Sequence, residues 1–179
     1  MSPTCTFETS RLLIKEWHSL TSEEWPEQDL AAAVACMLTE PVTKSLPPGW
    51  QRSYTTERAK LWIEERDQEG TTLLVVERSE RMAVGLVILF ESSEEGSGGD
   101  ELRLGYLLAE VAWGKGLATE LLLGFVEWCK QNKVASVVGG VERENVASQR
   151  VLEKAGFVCS QGEGEVGSEE LIYRLNLRS

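Results

Sequence analysis

The stretch Trp113-Gly114-Lys115-Gly116-Leu117-Ala118-Thr119-Glu120 places glycines and a lysine where an apolar strand gives way to the longest apolar-periodic helix of the chain. No Ser, Thr, Asp or Asn stands directly before that helix to cap its first amides, and the first acidic side chain, Glu120, comes about a turn later. Glycine lets a ligand approach the backbone with no Cβ in the way, and the partial positive charge of a helix start favours an anion. Lys115 opposes the helix dipole unless an anion reverses the local sign. The chemistry indicated is capture of a phosphate or pyrophosphate by main-chain N–H groups of Gly114 to Thr119; a ligand-free Gly-rich turn explains the same residues. A P-loop fits poorly, because it needs Ser or Thr after Gly-Lys and Gly116 stands there. A dinucleotide fingerprint would need Gly at Thr119.

The elements that must position this stretch follow from periodicity. Leu117, Leu121, Phe125 and Trp128 form one apolar stripe, with Lys115, Glu127 and Lys130 toward solvent, which predicts a helix over 114–131. Glu101 to Ala109 is the strand that feeds it. Ala135 to Val141 reads as a buried strand, and a short helix over 145–156 starts at Asn145, an obvious N-cap. Phe157 to Ser160 and Glu169 to Leu177 close the sheet. Earlier in the chain, Arg11 to Trp17 alternates as a first strand, and Pro26 suits the first turn of a helix that carries Leu30, Val34 and Met37 and ends before Pro41. Thr39 to Trp50 is expected as an ordered loop, with Trp50 needing a place to pack. A helix from Thr55 or Thr56 to Asp67, with Ala59, Trp62 and Ile63 inward, ends at Gly70. Strands over 72–77 and 82–91 flank a tight turn at Arg78 to Arg81, and Glu91 to Asp100 reads as a mobile hairpin loop. His18 reads as a turn or surface residue. The order implies an α/β (α+β) fold: a mixed, mostly antiparallel central sheet with helices on both faces.

At 179 residues with 42% hydrophobic content, the chain suits a single domain over 1–179. A net charge of −11 disfavours nucleic acid, whose binders cluster Lys and Arg on one face. Cys5, Cys36, Cys129 and Cys159 are widely separated and only His18 could join them, so no metal site is expected. No basic-apolar leader or membrane-length apolar run is apparent, which predicts no membrane association and a reducing cytoplasm.

The glycine loop resembles the pyrophosphate-binding segment of the GCN5-related N-acetyltransferases (GNAT), Gln/Arg-x-x-Gly-x-Gly/Ala. Trp113 stands at the Gln/Arg position, and Gly116 and Ala118 match the small positions. Trp-Gly-Lys-Gly-x-Ala-Thr-Glu resembles the form of the branch holding the ribosomal-protein N-terminal acetyltransferases (RimJ/RimL-like). Glu144-Asn145-Val146-Ala147-Ser148 through Gly156-Phe157 looks like that branch's second signature, and Thr9-Ser10-Arg11-Leu12 like its opening strand. The resemblance implies the GNAT fold and acetyl-CoA as co-substrate. Its pyrophosphate would lie on Trp113, Gly114, Lys115, Gly116, Leu117, Ala118 and Thr119, and its pantetheine along Tyr106, Leu107 and Leu108. A main-chain N–H near Leu108 would polarise the thioester. The strands ending near Ala109 and starting near Ala135 would splay apart to admit the arm.

The same resemblance implies a cofactor contact at Asn145 and makes Ser148 the acid for the thiolate leaving group; Leu152 stands where other members carry a tyrosine. An ordinary helix serine is the competing reading of Ser148. The branch often has Glu where this chain has Arg103, so Glu101, on the same strand face, is the preferred general base, with Glu165 and Glu169 behind it. An alkylammonium has a pKa near ~10 and a protein N-terminus near ~8, so the latter needs only weak help. The implied reaction is direct attack of a primary amine, on a small molecule or a protein N-terminus, in a ternary complex. A non-catalytic acyl-CoA-binding sensor or interaction module is the alternative, a nucleotide-binding protein a third reading, and a homodimer a possible assembly.

Overall fold

The short apolar run that opens Leu12–Glu16 and the β-branched residues of Thr71–Glu77 are strand patterns, and the two segments pair antiparallel from Leu12↔Glu77 to Glu16↔Leu73. The computed structural model describes residues 5–91, 101–160 and 170–177. In chain order its elements are β1 (Phe7–Glu8), β2 (Leu12–Glu16), α1 (Leu30–Met37), α2 (Glu40–Thr43), α3 (Thr56–Glu69), β3 (Thr71–Glu77), β4 (Met82–Glu91) and β5 (Glu101–Leu108). There follow α4 (Leu117–Gln131), β6 (Ser136–Glu142), α5 (Val146–Lys154), β7 (Val158–Cys159) and β8 (Glu170–Asn176). The hydrogen-bonded strand order is β1-β2-β3-β4-β5-β6-β8-β7. The β5–β6 pair is parallel, whereas β1–β2, β2–β3, β6–β8 and β7–β8 are antiparallel. This is the mixed, mostly antiparallel class that the element order implies.

The chain forms two compact units, Met1–Ile88 with Tyr106–Leu117, and Leu89–Gly105 with Ala118–Ser179. In the first, the core is built from Leu12 and Ile14 of β2, Leu73 to Val76 of β3, Val34 and Met37 of α1, and Ala59, Trp62 and Ile63 of α3. In the second it comes from Leu121, Leu122, Phe125 and Cys129 of α4, Val137 and Val138 of β6, Leu152 of α5 and Tyr173 of β8. Burying each large apolar side chain contributes roughly 1.5–3 kcal/mol, which is why these stripes decide where each helix lies.

Several boundaries differ from the sequence expectation, each for a local reason. The long helix starts at Leu117 rather than Gly114, because Gly114 and Gly116 sit at φ 73° and 76°, the left-handed region that a right-handed helix cannot use. The first helix starts at Leu30, with Asp29 accepting from the Ala32 amide at 3.1 Å and Gln28 at φ 53°, so Pro26 lies in the preceding turn. The segment expected as loop over 39–50 contains α2, with Pro41 in its first turn, and a 3-10 turn at Pro48–Trp50. Trp50 packs edge-on against Trp62, ring centroids 5.5 Å apart. The loop expected over 91–100 falls, beyond Glu91, outside the described residues.

Candidate active site

The loop after β5 is shaped by its own backbone. Ala109 donates to the Val84 carbonyl at 2.8 Å, and a short 3-10 turn, Glu110–Ala112, closes through Ala112 N to Ala109 O and Trp113 N to Glu110 O. Trp113 Nε1 donates to the Leu108 carbonyl at 2.9 Å, tying the indole back to the strand end while its ring stays half exposed. Thr39 Oγ1 donates to Glu110 Oε1 at 2.5 Å, holding the other side of the turn.

Beyond Trp113 the chain is exposed through Gly116. A Cβ on Gly114 would meet nothing within 4 Å, so open space lies beside that residue. Left-handed glycines on either side of Lys115 are the backbone pattern from which anion-binding concavities are built. Arg11 reinforces the positive character: its Nη1 donates to the Lys115 carbonyl at 3.0 Å, and its Nη2 lies 3.7 Å from where a Gly116 Cβ would stand. Nearby Glu77 has its carboxyl held below the ordinary value, mainly by the Ser79 hydroxyl, with the Lys115 charge a smaller contribution.

Gly85 of β4 governs how closely β5 approaches at the residues assigned to the pantetheine. A Cβ there would lie 2.6 Å from the Leu107 carbonyl oxygen and 2.7 Å from Leu108 Cδ2, closer than real side chains come. Leu107 and Leu108 are buried, and Tyr106 is half-buried. Neither Arg11 nor Gly85 is among the sequence-derived candidates. The signals were present: a glycine inside an unbroken strand pattern indicates close backbone approach, and Arg11 belongs to the opening Thr-Ser-Arg-Leu signature.

In the second unit, Asn145 caps α5 as its sequence implies, its Oδ1 accepting from the Ser148 amide at 3.2 Å. That bond brings Asn145 and Ser148 together on the first turn, both half-buried. Leu152, on the same helix, is a core residue at 1% exposure, so the tyrosine position of other members is filled here by packing. Ala118 and Thr119 lie on the first turn of α4, also half-buried. Glu101 opens β5, whose ladder with β6 runs from Glu101↔Ser136 to Leu104↔Gly139 while β5 itself continues to Leu108. Its Oε2 accepts from the Ser136 hydroxyl at 3.1 Å and from Arg174 Nη1 at 3.0 Å. The candidate base is thus also a tie between β5, β6 and β8. Glu165 and Glu169 lie outside the described residues.

Among the described residues, Glu16, His18 and Asp67 bring carboxylate and imidazole atoms within 4.8 Å of one another. Hydrogen bonds account for their closeness: Asp67 receives Trp17 Nε1 and contacts His18 Nε2, both at 2.8 Å, and Glu16 receives the His18 amide at 3.0 Å. No described helix is long and apolar enough to cross a membrane.

A mixed sheet whose strand β5 runs through a glycine-turned loop into a helix is the framework of an acyltransferase. The model of the acetyltransferase (GNAT) domain family matches residues 20–158, and the chain belongs to that family of enzymes. Solved structures share the fold. An acetyltransferase of the GNAT family from Bacillus anthracis superposes with TM-score 0.72 at 19% identity, over 97% of this chain and 99% of that one. Ribosomal-protein-S5-alanine acetyltransferase from Vibrio fischeri gives 0.63 at 16%, over 96% of each chain. The yncA protein of Salmonella typhimurium, solved with its cofactor acetyl-CoA, gives 0.57 at 18%, over 94% of this chain and 95% of that one. Among curated proteins, no sequence match reaches significance.

Proposed function

We propose that this enzyme transfers an acetyl group from acetyl-CoA to a primary amine, on a small molecule or a protein N-terminus, by direct attack in a ternary complex. In this reading residues 1–179 work as one acetyltransferase domain in the cytoplasm, and the chemistry calls for no metal. The observation that carries it is the exposed loop before α4, left-handed at Gly114 and Gly116 and backed by the Arg11 guanidinium. Main-chain N–H groups of Gly114 to Thr119 supply donors for a pyrophosphate, while Arg11 and Lys115 supply charge. The close approach that Gly85 permits keeps the backbone of Leu107 and Leu108 fixed beside the arm, with the Leu108 N–H directed to polarisation of the thioester carbonyl.

Acetyl-CoA brings an activated carbonyl and a thiolate leaving group. The amine nitrogen forms a C–N bond as the C–S bond breaks, one proton leaves the nitrogen, and one goes to the thiolate. Ser148 is the donor to sulfur; Glu101, the preferred base, opens β5 seven residues before Leu108, roughly 23 Å along the strand, so it receives the amine proton only through a relay of waters. A neutral N-terminal amine suits this set, because it asks little of a carboxylate already receiving Ser136 and Arg174.

The engagement of Glu101 also gives some support to the rival reading, a CoA-binding module without chemistry. Thiol release from acetyl-CoA, measured across small amines and N-terminal peptides beside CoA affinity by calorimetry, separates the two. Turnover with any amine class supports the enzyme reading, CoA binding with no turnover supports the rival, and failure to bind CoA at millimolar concentration removes both.

A further inference from the structure

Helix α3 buries a charge. Arg66 is 3% exposed, and a guanidinium does not lose its proton inside a protein. Its Cζ lies 4.2 Å from the ring centroid of Trp50 and 5.2 Å from that of Trp62. Nη2 reaches Glu69 at 3.2 Å and Glu65 at 3.6 Å, but those side chains are 50% and 63% exposed, so water screens both. The inner atoms Nε and Nη1 are buried with no hydrogen-bond partner among the described residues, and Trp62 Nε1 is in the same condition. Arg66 and Trp62 are separated by one helical turn and so share a face of α3.

The surroundings are fixed in place. Tyr54 donates its hydroxyl to the Trp50 carbonyl at 2.8 Å, and burial raises the Tyr54 pKa, so the hydroxyl keeps the proton it donates. Arg58 stacks 3.9 Å over the Tyr54 ring and donates to the carbonyls of Gly49, Gln51 and Ser53. Stacking contributes up to ~2 kcal/mol when desolvated, whereas each buried donor left unmatched costs about 1–3 kcal/mol, more when charged. The aromatic rings therefore do not offset three unmatched donor atoms, two of them on a cation.

We infer that Arg66 and Trp62 form a binding site for a small carboxylate. The unpartnered atoms of Arg66 and Trp62 are all N–H donors, which suits an acceptor-only group. A single negative charge balances the single positive one, while a phosphate dianion would leave a charge unmatched. The inference does not rest on acetyl transfer.

The test is a titration of the full chain with sodium formate, acetate and propionate against sodium chloride at equal ionic strength, followed by tryptophan fluorescence and thermal melts. A saturable fluorescence change and a melting temperature raised by carboxylate beyond chloride are expected, since a ligand that binds only the folded state stabilises it by mass action. Trp62→Phe keeps the ring and removes the N–H, and should weaken the carboxylate by about tenfold, the loss expected for one hydrogen bond to a charged group. Arg66→Lys keeps the charge and loses the fork, and should abolish saturation. Signals that follow ionic strength alone, or a Trp62→Phe protein that titrates as wild type, overturn the inference even if Arg66→Lys fails to fold.

Discussion

Arg11 shows how one side chain can carry more chemistry than its place in a strand pattern announces. Its guanidinium donates to the Lys115 carbonyl beside an exposed glycine, so Arg11→Ala should weaken CoA by about fivefold to tenfold, with a smaller loss at high salt, where charges are screened. Calorimetry at low and high salt checks this; equal affinity in both buffers would detach Arg11 from the anion. Ser148 makes a different prediction, because a proton donor acts on the chemical step. Ser148→Ala should lower kcat about 10²-fold with little change in CoA affinity. The loss should shrink with thioesters of more acidic thiols, which leave without help; a loss independent of the leaving group would reduce Ser148 to a helix residue. Gly114, Gly116 and Asn145 were legible in the sequence because each has a local reason, a glycine turn or a cap, whereas Ser148 came only through the family resemblance. The contacts of Arg11 with Lys115 and of Arg174 with Glu101 were not legible, since they join residues far apart in the chain and leave no periodic trace, although Arg11 itself stands in the opening signature.

At the scale of elements, helical stripes, the start of α3 near Thr55 or Thr56 and the N-cap Asn145 were readable because they depend on neighbours three or four residues away. The true start of α4 was less readable, because apolar periodicity begins before the backbone can turn right-handed, and only the dihedrals of Gly114 and Gly116 separate loop from helix. The β4–β5 approach was signalled only by a glycine inside a strand pattern, yet it yields a sharp expectation. Gly85→Ala puts a methyl group against the Leu107 carbonyl and the Leu108 side chain, so a strand must shift. The cost should be about 1–3 kcal/mol of stability, typical of overpacking, seen as a lower denaturation midpoint. CoA affinity should fall beyond what Arg11→Ala removes, because the displaced residues are those assigned to the arm. A Gly85→Ala protein as stable as wild type would show that β5 moves freely and that its position carries no binding.

Across the whole molecule, the question is whether the two compact units behave as the single domain that chain length and core size imply. Their probes are separable. Trp17, Trp25, Trp50, Trp62 and Trp113 all belong to the first unit, so tryptophan fluorescence reports chiefly on it. Cys129 belongs to the second, is fully buried, and has its thiol pushed up to about 12 by that burial. The thiolate is the reactive form, so Cys129 should be inert in the folded protein and become labelled only as its unit opens, whereas exposed Cys36 labels at once. Pulse labelling through a urea series, with the modified cysteine located by mass spectrometry, should give a Cys129 transition with the same midpoint and slope as the fluorescence, as one cooperative unit requires. Separate midpoints would show units that unfold independently. The same thiol fixes a sign with pH: folding favours its protonated form, so its contribution is complete below the ordinary value of 9.0 and is lost as pH rises from there toward 12. Cys129→Ala should therefore flatten the alkaline limb of the stability curve, and an unchanged limb would mean that other groups govern it.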